Sequence, residues 1–117
     1  MTCVLRQPLE EHEVFATDLW RVIVNLNQNK LGKLMVCLMR HDEDICAPTD
    51  AELLELWNVI RKTKGILDSL FRPDRYNYAF LMNLDSHVHC TLFPATRPPA
   101  YLWAPTFMTP MISPRTD

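Results

Sequence analysis

Hydrophobic and polar residues alternate in the first clearly patterned segment of the chain. Between Leu19 and Leu26, large apolar residues stand at every second position, with Arg21 and Asn25 among the residues that separate them. A period of two is the signature of a β-strand, because successive side chains point to opposite faces. Residues 1–17 have no such pattern and are predicted to form a loosely packed lead-in.

A second strand is predicted over residues 33–40, where apolar residues follow one another almost without interruption. A short run of this kind is typical of a central strand that is covered on both faces. A polar stretch separates the two strands and leads to Gly32, which can adopt the positive φ that a tight turn requires. The two segments are therefore predicted to form an antiparallel hairpin.

A long helix is predicted after this hairpin. Thr49 is a favourable N-cap residue, and Glu52 three positions later completes the capping-box pattern. Pro73 ends the helix, because proline cannot continue it. The apolar residues of the segment recur at helical spacing and are predicted to pack on a sheet. These residues are Leu53, Leu56, Trp57, Ile60, Leu67, Leu70 and Phe71.

Two further strands are predicted, over residues 76–83 and 86–93. After Pro94 the composition changes, because the last 23 residues contain five prolines and no periodic pattern. Such a segment is expected to be extended and poorly ordered. The order of elements predicts an α+β fold, with an antiparallel sheet and a helix on one face. We expect residues 1–95 to form the domain and residues 96–117 to form a proline-rich tail.

Composition narrows the class of protein. The chain has 117 residues and a formal net charge of −2, which suits one domain that binds neither nucleic acid nor an anionic membrane. No apolar stretch reaches the roughly 20 residues of a membrane helix, and the N-terminus has no signal-peptide pattern. The four cysteines are too widely spaced for a metal knuckle and do not indicate a disulfide framework. We therefore expect a cytoplasmic protein.

The segment from His87 to Pro94 carries the candidate chemistry. On a strand, His87, His89 and Thr91 point to one face, while the apolar residues between them point to the core. The three polar side chains would then line a face that a ligand can reach. One neutral imidazole can act as a nucleophile there while a neighbouring side chain donates hydrogen bonds.

Two other interpretations of these histidines stay open at this point. Histidines at positions i and i+2 of a strand are often no more than two half-exposed side chains. The same spacing is common in metal sites, but Asp85 is the only carboxylate close by in the sequence, and Cys90 should point away from the histidines. We therefore expect no metal and no other cofactor.

The segment HVHCTLFP resembles the signature of the histidine-triad (HIT) family, in which three histidines alternate with apolar residues. His87 and His89 match the first two histidines, and Thr91 replaces the third. The similarity extends over about residues 15–95. Asn25 and Gly32 have the spacing of the family's first hairpin, and a basic turn at 40–41 follows it. The segment RYNYAFLMNLDSHVHC is similar to bacterial members related to diadenosine polyphosphate hydrolases.

The resemblance implies a sheet of about five strands with one long helix, and a reaction of nucleotides. His89 matches the histidine that attacks the α-phosphate and forms a nucleotidyl-histidine intermediate, and His87 matches the one that orients it. Asn25 matches an asparagine that contacts the ribose. Asn83 lies where family members supply an amide to the phosphates. The family also implies a homodimer.

Two departures from the family pattern bear on the activity. Thr91 can donate a hydrogen bond to a phosphate but cannot act as a general acid near neutral pH, and a lost proton donor typically costs roughly 100-fold in rate or more. Ala95 stands where close relatives have an arginine. The leading hypothesis is a nucleotidyl hydrolase or transferase acting on nucleoside polyphosphates or nucleotide conjugates. The alternative is a nucleotide-binding or interaction protein with weak or no turnover.

Overall fold

The structure, a computed structural model, describes residues 12–82 and 86–95. Within these ranges it contains five strands and one helix. In chain order they are β1 (Glu13–Ala16), β2 (Trp20–Val24), β3 (Leu34–Leu38), α1 (Asp50–Phe71), β4 (Arg75–Ala79) and β5 (His89–Ala95). The strands form one antiparallel sheet in the order β1-β2-β3-β5-β4. The predicted α+β fold is therefore confirmed, whereas the tail predicted for residues 96–117 lies outside the described residues.

The hairpin of β2 and β3 forms as predicted, with Trp20 opposite Leu38 at one end of the pair. The turn between the strands contains Gly32, which has a φ of +86°. A Cβ atom added there would come within 2.9 Å of both the Phe71 ring and the Pro94 ring. Glycine is thus required twice at this position, for its backbone conformation and for the close packing of its neighbours.

Helix α1 begins with the predicted capping box. The Thr49 hydroxyl accepts a hydrogen bond from the Glu52 backbone N–H, and the Glu52 carboxylate accepts one from the Thr49 N–H at 2.8 Å. Arg40, at the end of β3, donates two further bonds to the same carboxylate, at 2.8 and 2.9 Å. The helix ends at Phe71, followed by Arg72 in the left-handed conformation with a φ of 47°.

The main core lies between α1 and one face of the sheet. Trp20 is fully buried there, and its indole N–H donates to the Glu52 carbonyl oxygen at 2.9 Å, so its polar atom has a partner inside the core. The other buried residues of this cluster come from both layers. They are Val22, Leu34, Val36, Leu38, Val88, Cys90 and Leu92 from the sheet side, and Leu56, Val59, Ile60 and Leu67 from the helix.

The buried face of α1 differs from the predicted one. Leu56, Ile60 and Leu67 are buried as expected, but Trp57 is 58% exposed and Leu70 is 68% exposed. Leu53 and Phe71 also lie at the surface, and the buried side includes Thr63, whose hydroxyl donates to the Val59 carbonyl oxygen at 2.7 Å. The apolar arc of the helix is wider than the strip that this sheet covers, so half of the predicted face is left at the surface.

Three strand boundaries also differ from those predicted. Strand β1 lies inside the segment that was expected to be a lead-in, because its mostly exposed position at the sheet edge leaves no alternating pattern in the sequence. Strand β4 ends at Ala79, and β5 begins only at His89. His87 therefore precedes the strand on which it was expected. No helix among the described residues is long and apolar enough to cross a membrane.

Candidate active site

Strand β5 carries the candidate site on the sheet face opposite α1. His89 lies opposite Cys37 of β3, and Thr91 lies between Met35 of β3 and Ala79 of β4. The residue between them, Cys90, points into the main core, as the alternation of a strand requires. His89 is 5% exposed and Thr91 is 8% exposed. The two side chains share a face as predicted, but both are buried, so they are far less accessible than expected.

The backbone fixes the hydrogen-bonding state of His89. Its Nδ1 lies 2.6 Å from the carbonyl oxygen of His87. A carbonyl oxygen only accepts hydrogen bonds, so Nδ1 must carry the proton of this bond. In the neutral ring the lone pair then belongs to Nε2. His89 is thereby arranged as a nucleophile or base that acts through Nε2.

The ring of His87 is also held by a hydrogen bond to a backbone carbonyl oxygen. It is fully buried, and its Nε2 lies 2.6 Å from the Leu38 carbonyl oxygen, to which it must donate. The Nδ1 of the neutral ring is then an acceptor, and it lies 3.0 Å from Nδ1 of His41. The imidazole of His87 thus joins β3 to the loop after it, while its backbone carbonyl orients His89. This arrangement explains why a residue outside the strand belongs to the site.

The structure adds a set of residues that sequence reasoning did not assign to the site. His41 donates to His87 through Nδ1, and its Nε2 lies 3.3 Å from a Glu43 carboxylate oxygen. The other oxygen of Glu43 accepts a hydrogen bond from Ser86. The loop between β3 and α1 therefore braces the segment before β5. The basic turn at 40–41 was the available signal, but no spacing rule connects His41 with a histidine 46 positions away.

Thr91 and Cys90 supply neither a general acid nor a thiolate to the site. The Thr91 hydroxyl offers a hydrogen bond on the His89 face but no general acid near neutral pH. Burial raises the pKa of the Cys90 thiol to about 11, so this thiol stays neutral and belongs to the core. Among the described residues no group of three or more histidine, cysteine or acidic side chains is placed to hold a metal ion.

Asn25 follows β2 directly and continues its alternation, which places it on the same face as Arg21 and Ile23. Its side-chain oxygen accepts a hydrogen bond from the Asn27 backbone N–H at 2.9 Å, so part of its role is to shape the turn. Asn83, the other predicted contact residue, lies outside the described residues. The structure thus brings His87, His89 and Thr91 together and leaves Asn25 on their sheet face at some distance.

Two cavities lie beside the sheet, one on the α1 side and one at the end of the face that carries His89 and Thr91. One, of about 600 Å³, runs between α1 and β4 and is lined mainly by apolar side chains, including Trp57, Tyr78 and Phe80. The other, of about 560 Å³, lies at the Gly32 end of the sheet and is lined by residues such as Arg75 and Phe93. None of His87, His89 and Thr91 lines either cavity.

The fold is similar to that of solved HIT proteins. A HIT family member from Bacillus subtilis superimposes with a TM-score of 0.72 at 15% identity, over 91% of this chain and 89% of that chain. A HIT family protein from Bacillus anthracis matches with a TM-score of 0.66 at 19% identity, over 83% and 67% of the two chains.

A hypothetical histidine triad nucleotide-binding protein from Sulfolobus tokodaii strain7 matches with a TM-score of 0.68 at 16% identity, over 75% and 62% of the two chains. No protein-family model matches the sequence. The curated proteins include no significant sequence match. At these identities the likeness establishes the fold, which is that of HIT proteins.

Proposed function

We propose that this chain is a HIT family protein that binds a nucleotide on the sheet face opposite α1 and transfers its nucleotidyl group through His89. The observation that carries this proposal is the bond from His89 Nδ1 to the His87 carbonyl oxygen at 2.6 Å. It leaves Nε2 as the nucleophilic atom and holds the ring in one orientation. Nucleotide as the ligand is supported by the HIT fold and by its similarity to the hypothetical nucleotide-binding protein from Sulfolobus tokodaii.

The proposed reaction has two steps. Nε2 of His89 forms a bond to the α-phosphorus while the bond from that phosphorus to the leaving-group oxygen breaks, and the oxygen keeps the electron pair. Water or another acceptor then attacks the phosphorus, loses a proton, and releases His89 with its lone pair restored. The products are a nucleoside monophosphate, or its ester with the acceptor, and the leaving group.

Thr91 bears on the choice of leaving group. Because a hydroxyl cannot supply a proton near neutral pH, the leaving group must depart without acid catalysis. A polyphosphate leaves as a stable anion, whereas an amine needs a proton to leave. Dinucleoside polyphosphates are therefore better substrates for this site than nucleotide conjugates with an amine. We infer a hydrolase or transferase of the dinucleoside polyphosphate type.

The test is to incubate the purified chain with diadenosine tetraphosphate and to measure nucleoside monophosphate by chromatography. We expect product from the wild type and none from His89→Ala, because the nucleophile is lost. His12→Ala is the matched control, since His12 lies outside the site and contributes a backbone carbonyl to β2. Thr91→His is expected to raise the rate roughly 100-fold by restoring a general acid.

The alternative function is nucleotide binding with weak or no turnover, which the combination of Thr91 and Ala95 favours. It predicts micromolar binding of nucleotide, no wild-type product, and product from Thr91→His. A His89→Ala protein that turned over substrate at the wild-type rate would contradict the proposed mechanism. Absence of nucleotide binding would contradict both functions.

We also propose that the protein is a homodimer. The exposed apolar side of α1 includes Leu53, Leu54 and Trp57, and the neighbouring edge strand β4 adds Tyr78. A second copy related by a two-fold axis would place the same surface against itself and bury both. The buried Cys90 thiol takes part in no disulfide among the described residues, which fits the reducing cytoplasm in which we place the reaction.

A further inference from the structure

A buried arginine lies on the same sheet face as His89. Arg21 of β2 is opposite Cys37 of β3, and Cys37 is opposite His89 of β5. Directly opposed residues share a face, so Arg21 and His89 point to the same side, two strands or about 10 Å apart. Arg21 is only 9% exposed. Arginine is almost never buried unless it is paired, so a group that pairs with the Arg21 guanidinium is expected nearby.

One partner of Arg21 is an acidic residue of β1. The Nε atom of Arg21 lies 3.5 Å from a carboxylate oxygen of Glu13, whose side chain is 38% exposed. Glu13 is opposite Ile23, which lies on the same face as Arg21. The pair of Glu13 and Arg21 therefore stands at the β1 side of the face, with its carboxylate open to a ligand.

An apolar floor lies between this pair and His89. Ile23 and Cys37 are buried together on this face, and Met35 packs against them. The face thus runs from a nucleophile, across a small apolar surface, to a pair of charged groups. Ligand sites are commonly apolar surfaces with a few placed polar groups, and a flat aromatic ring with a polar edge fits this arrangement.

We propose that Glu13 and Arg21 recognise the base of the nucleotide and that they select guanine. This proposal rests on the function proposed above, and it names the substrate's base. A guanidinium that already faces a carboxylate carries balanced charge, so the pair is less suited to a phosphate than to a neutral edge with donors and acceptors. Guanine has both, because O6 and N7 accept from an arginine while its N1–H and amino group donate to a carboxylate.

Adenine fits the same pair less well. It carries an amino group where guanine has O6, so a donor would face the Arg21 guanidinium. A bidentate contact of this kind discriminates between bases by about tenfold to a hundredfold. The phosphate of the bound nucleotide would lie toward His89, with the flat base over the apolar floor and its polar edge at Glu13 and Arg21.

The experiment is calorimetric titration of the full chain with GMP and with AMP. We expect wild type to bind GMP at least tenfold more tightly than AMP. Glu13→Gln is expected to bring the two affinities within about threefold by weakening GMP binding alone. Asp18→Asn is the matched control, because Asp18 is an exposed acid in the turn between β1 and β2, and it should keep the wild-type preference.

A second variant distinguishes base recognition by Glu13 and Arg21 from a purely structural role of the pair. Glutamine pairs with N6 and N7 of adenine, so Arg21→Gln is expected to move the preference toward AMP. If the pair only held β1 to β2, Glu13→Gln would lower the melting temperature and weaken both ligands equally, which would overturn the proposal. Equal wild-type affinity for GMP and AMP would also overturn it, while product formation that depends on His89 would keep the proposed function. Absence of binding to either nucleotide would overturn both.

Discussion

At the scale of single residues, the site depends on bonds that orient rings rather than on the number of histidines. Backbone carbonyl oxygens accept from both triad histidines, at 2.6 Å in each case. Each carbonyl determines which ring nitrogen carries the proton, and hence which nitrogen is left to accept or attack. Thr91 supplies no general acid near neutral pH, and neither of these two ring contacts involves it.

The contact from His41 to His87 is expected to tune the rate through this orientation. His41→Ala removes a donor to the His87 ring and frees the loop that Glu43 and Ser86 brace. Loss of one such hydrogen bond is worth about 1 kcal/mol, or roughly fivefold in rate. We expect kcat to fall by about that factor with little change in KM, measured by steady-state kinetics with diadenosine tetraphosphate.

A positioning role also predicts rescue by a conservative change. His41→Asn keeps a side-chain N–H donor near the position of Nδ1, so it should recover part of the rate that His41→Ala loses. A variant with wild-type kcat in both cases would show that His41 does not act on the site. An equal loss of melting temperature in both variants with no change in kcat would assign His41 to stability instead.

At the scale of elements, the start of α1 is fixed by one carboxylate with several partners. Glu52 accepts from the Thr49 N–H and from the guanidinium of Arg40, and it is buried. The hydrogen bonds from Arg40 are the main reason that the pKa of Glu52 lies below its ordinary value of 4.5. The helix and the end of β3, which leads into the His41 loop, are therefore joined at a single charged group.

This junction predicts an acid-dependent loss of stability. A carboxylate whose pKa is lowered on folding contributes stability that is fully present above the unfolded value, near 4.5, and is lost as pH falls through the folded value. Glu52→Gln should lower the free energy of unfolding at pH 7 by about 1–2 kcal/mol. We expect the difference from wild type to shrink steadily below pH 4.5.

Urea unfolding at pH 7 and at several values below pH 4.5 would measure this dependence. Glu55→Gln is the matched control, since it removes a carboxylate from the same helix without touching Arg40. A Glu52→Gln deficit that stayed constant as the pH fell would mean that packing, and not the charge of Glu52, supplies the stability.

At the scale of the whole molecule, the exposed apolar surface of α1 and β4 lies on the opposite side of the sheet from His89 and Thr91. The groove between α1 and β4 lies on the helix side of the sheet, while His89 and Thr91 lie on the other side. A dimer formed through this groove would leave the sheet face of His89 and Thr91 uncovered. The exposed fraction of Trp57, 58%, makes it the aromatic anchor that such an interface would bury.

Trp57→Glu is therefore expected to give a monomer where the wild type is a dimer, measured by sedimentation equilibrium. Burying a carboxylate in an apolar interface is unfavourable, so the dissociation constant should rise by at least a hundredfold. Lys62→Glu, an exposed change elsewhere on the helix, is the control and should leave the dimer intact. A monomeric wild type at moderate concentration would contradict the proposed assembly.

Much of the fold was predictable because its signals are local. The alternation of residues 20–26, the capping box at Thr49 and the turn at Gly32 each depend on neighbours within a few positions, and each appears as predicted. Strand β1 was missed because an edge strand with exposed side chains has no pattern to read. The buried face of α1 was predicted only in part, because Leu56, Ile60 and Leu67 are buried whereas Trp57 and Leu70 are exposed.

The sequence by itself predicted where the candidate chemistry lies, since the alternating histidines and Thr91 indicate a candidate nucleophile and the lack of a general acid. Only the tertiary structure decided how they are held. The contacts from His41 to His87 and from Leu38 to His87 join positions that are 46 and 49 residues apart, and Glu13 reaches Arg21 only through strand pairing. Such contacts depend on sheet order and register, which long-range packing sets and which no local spacing encodes.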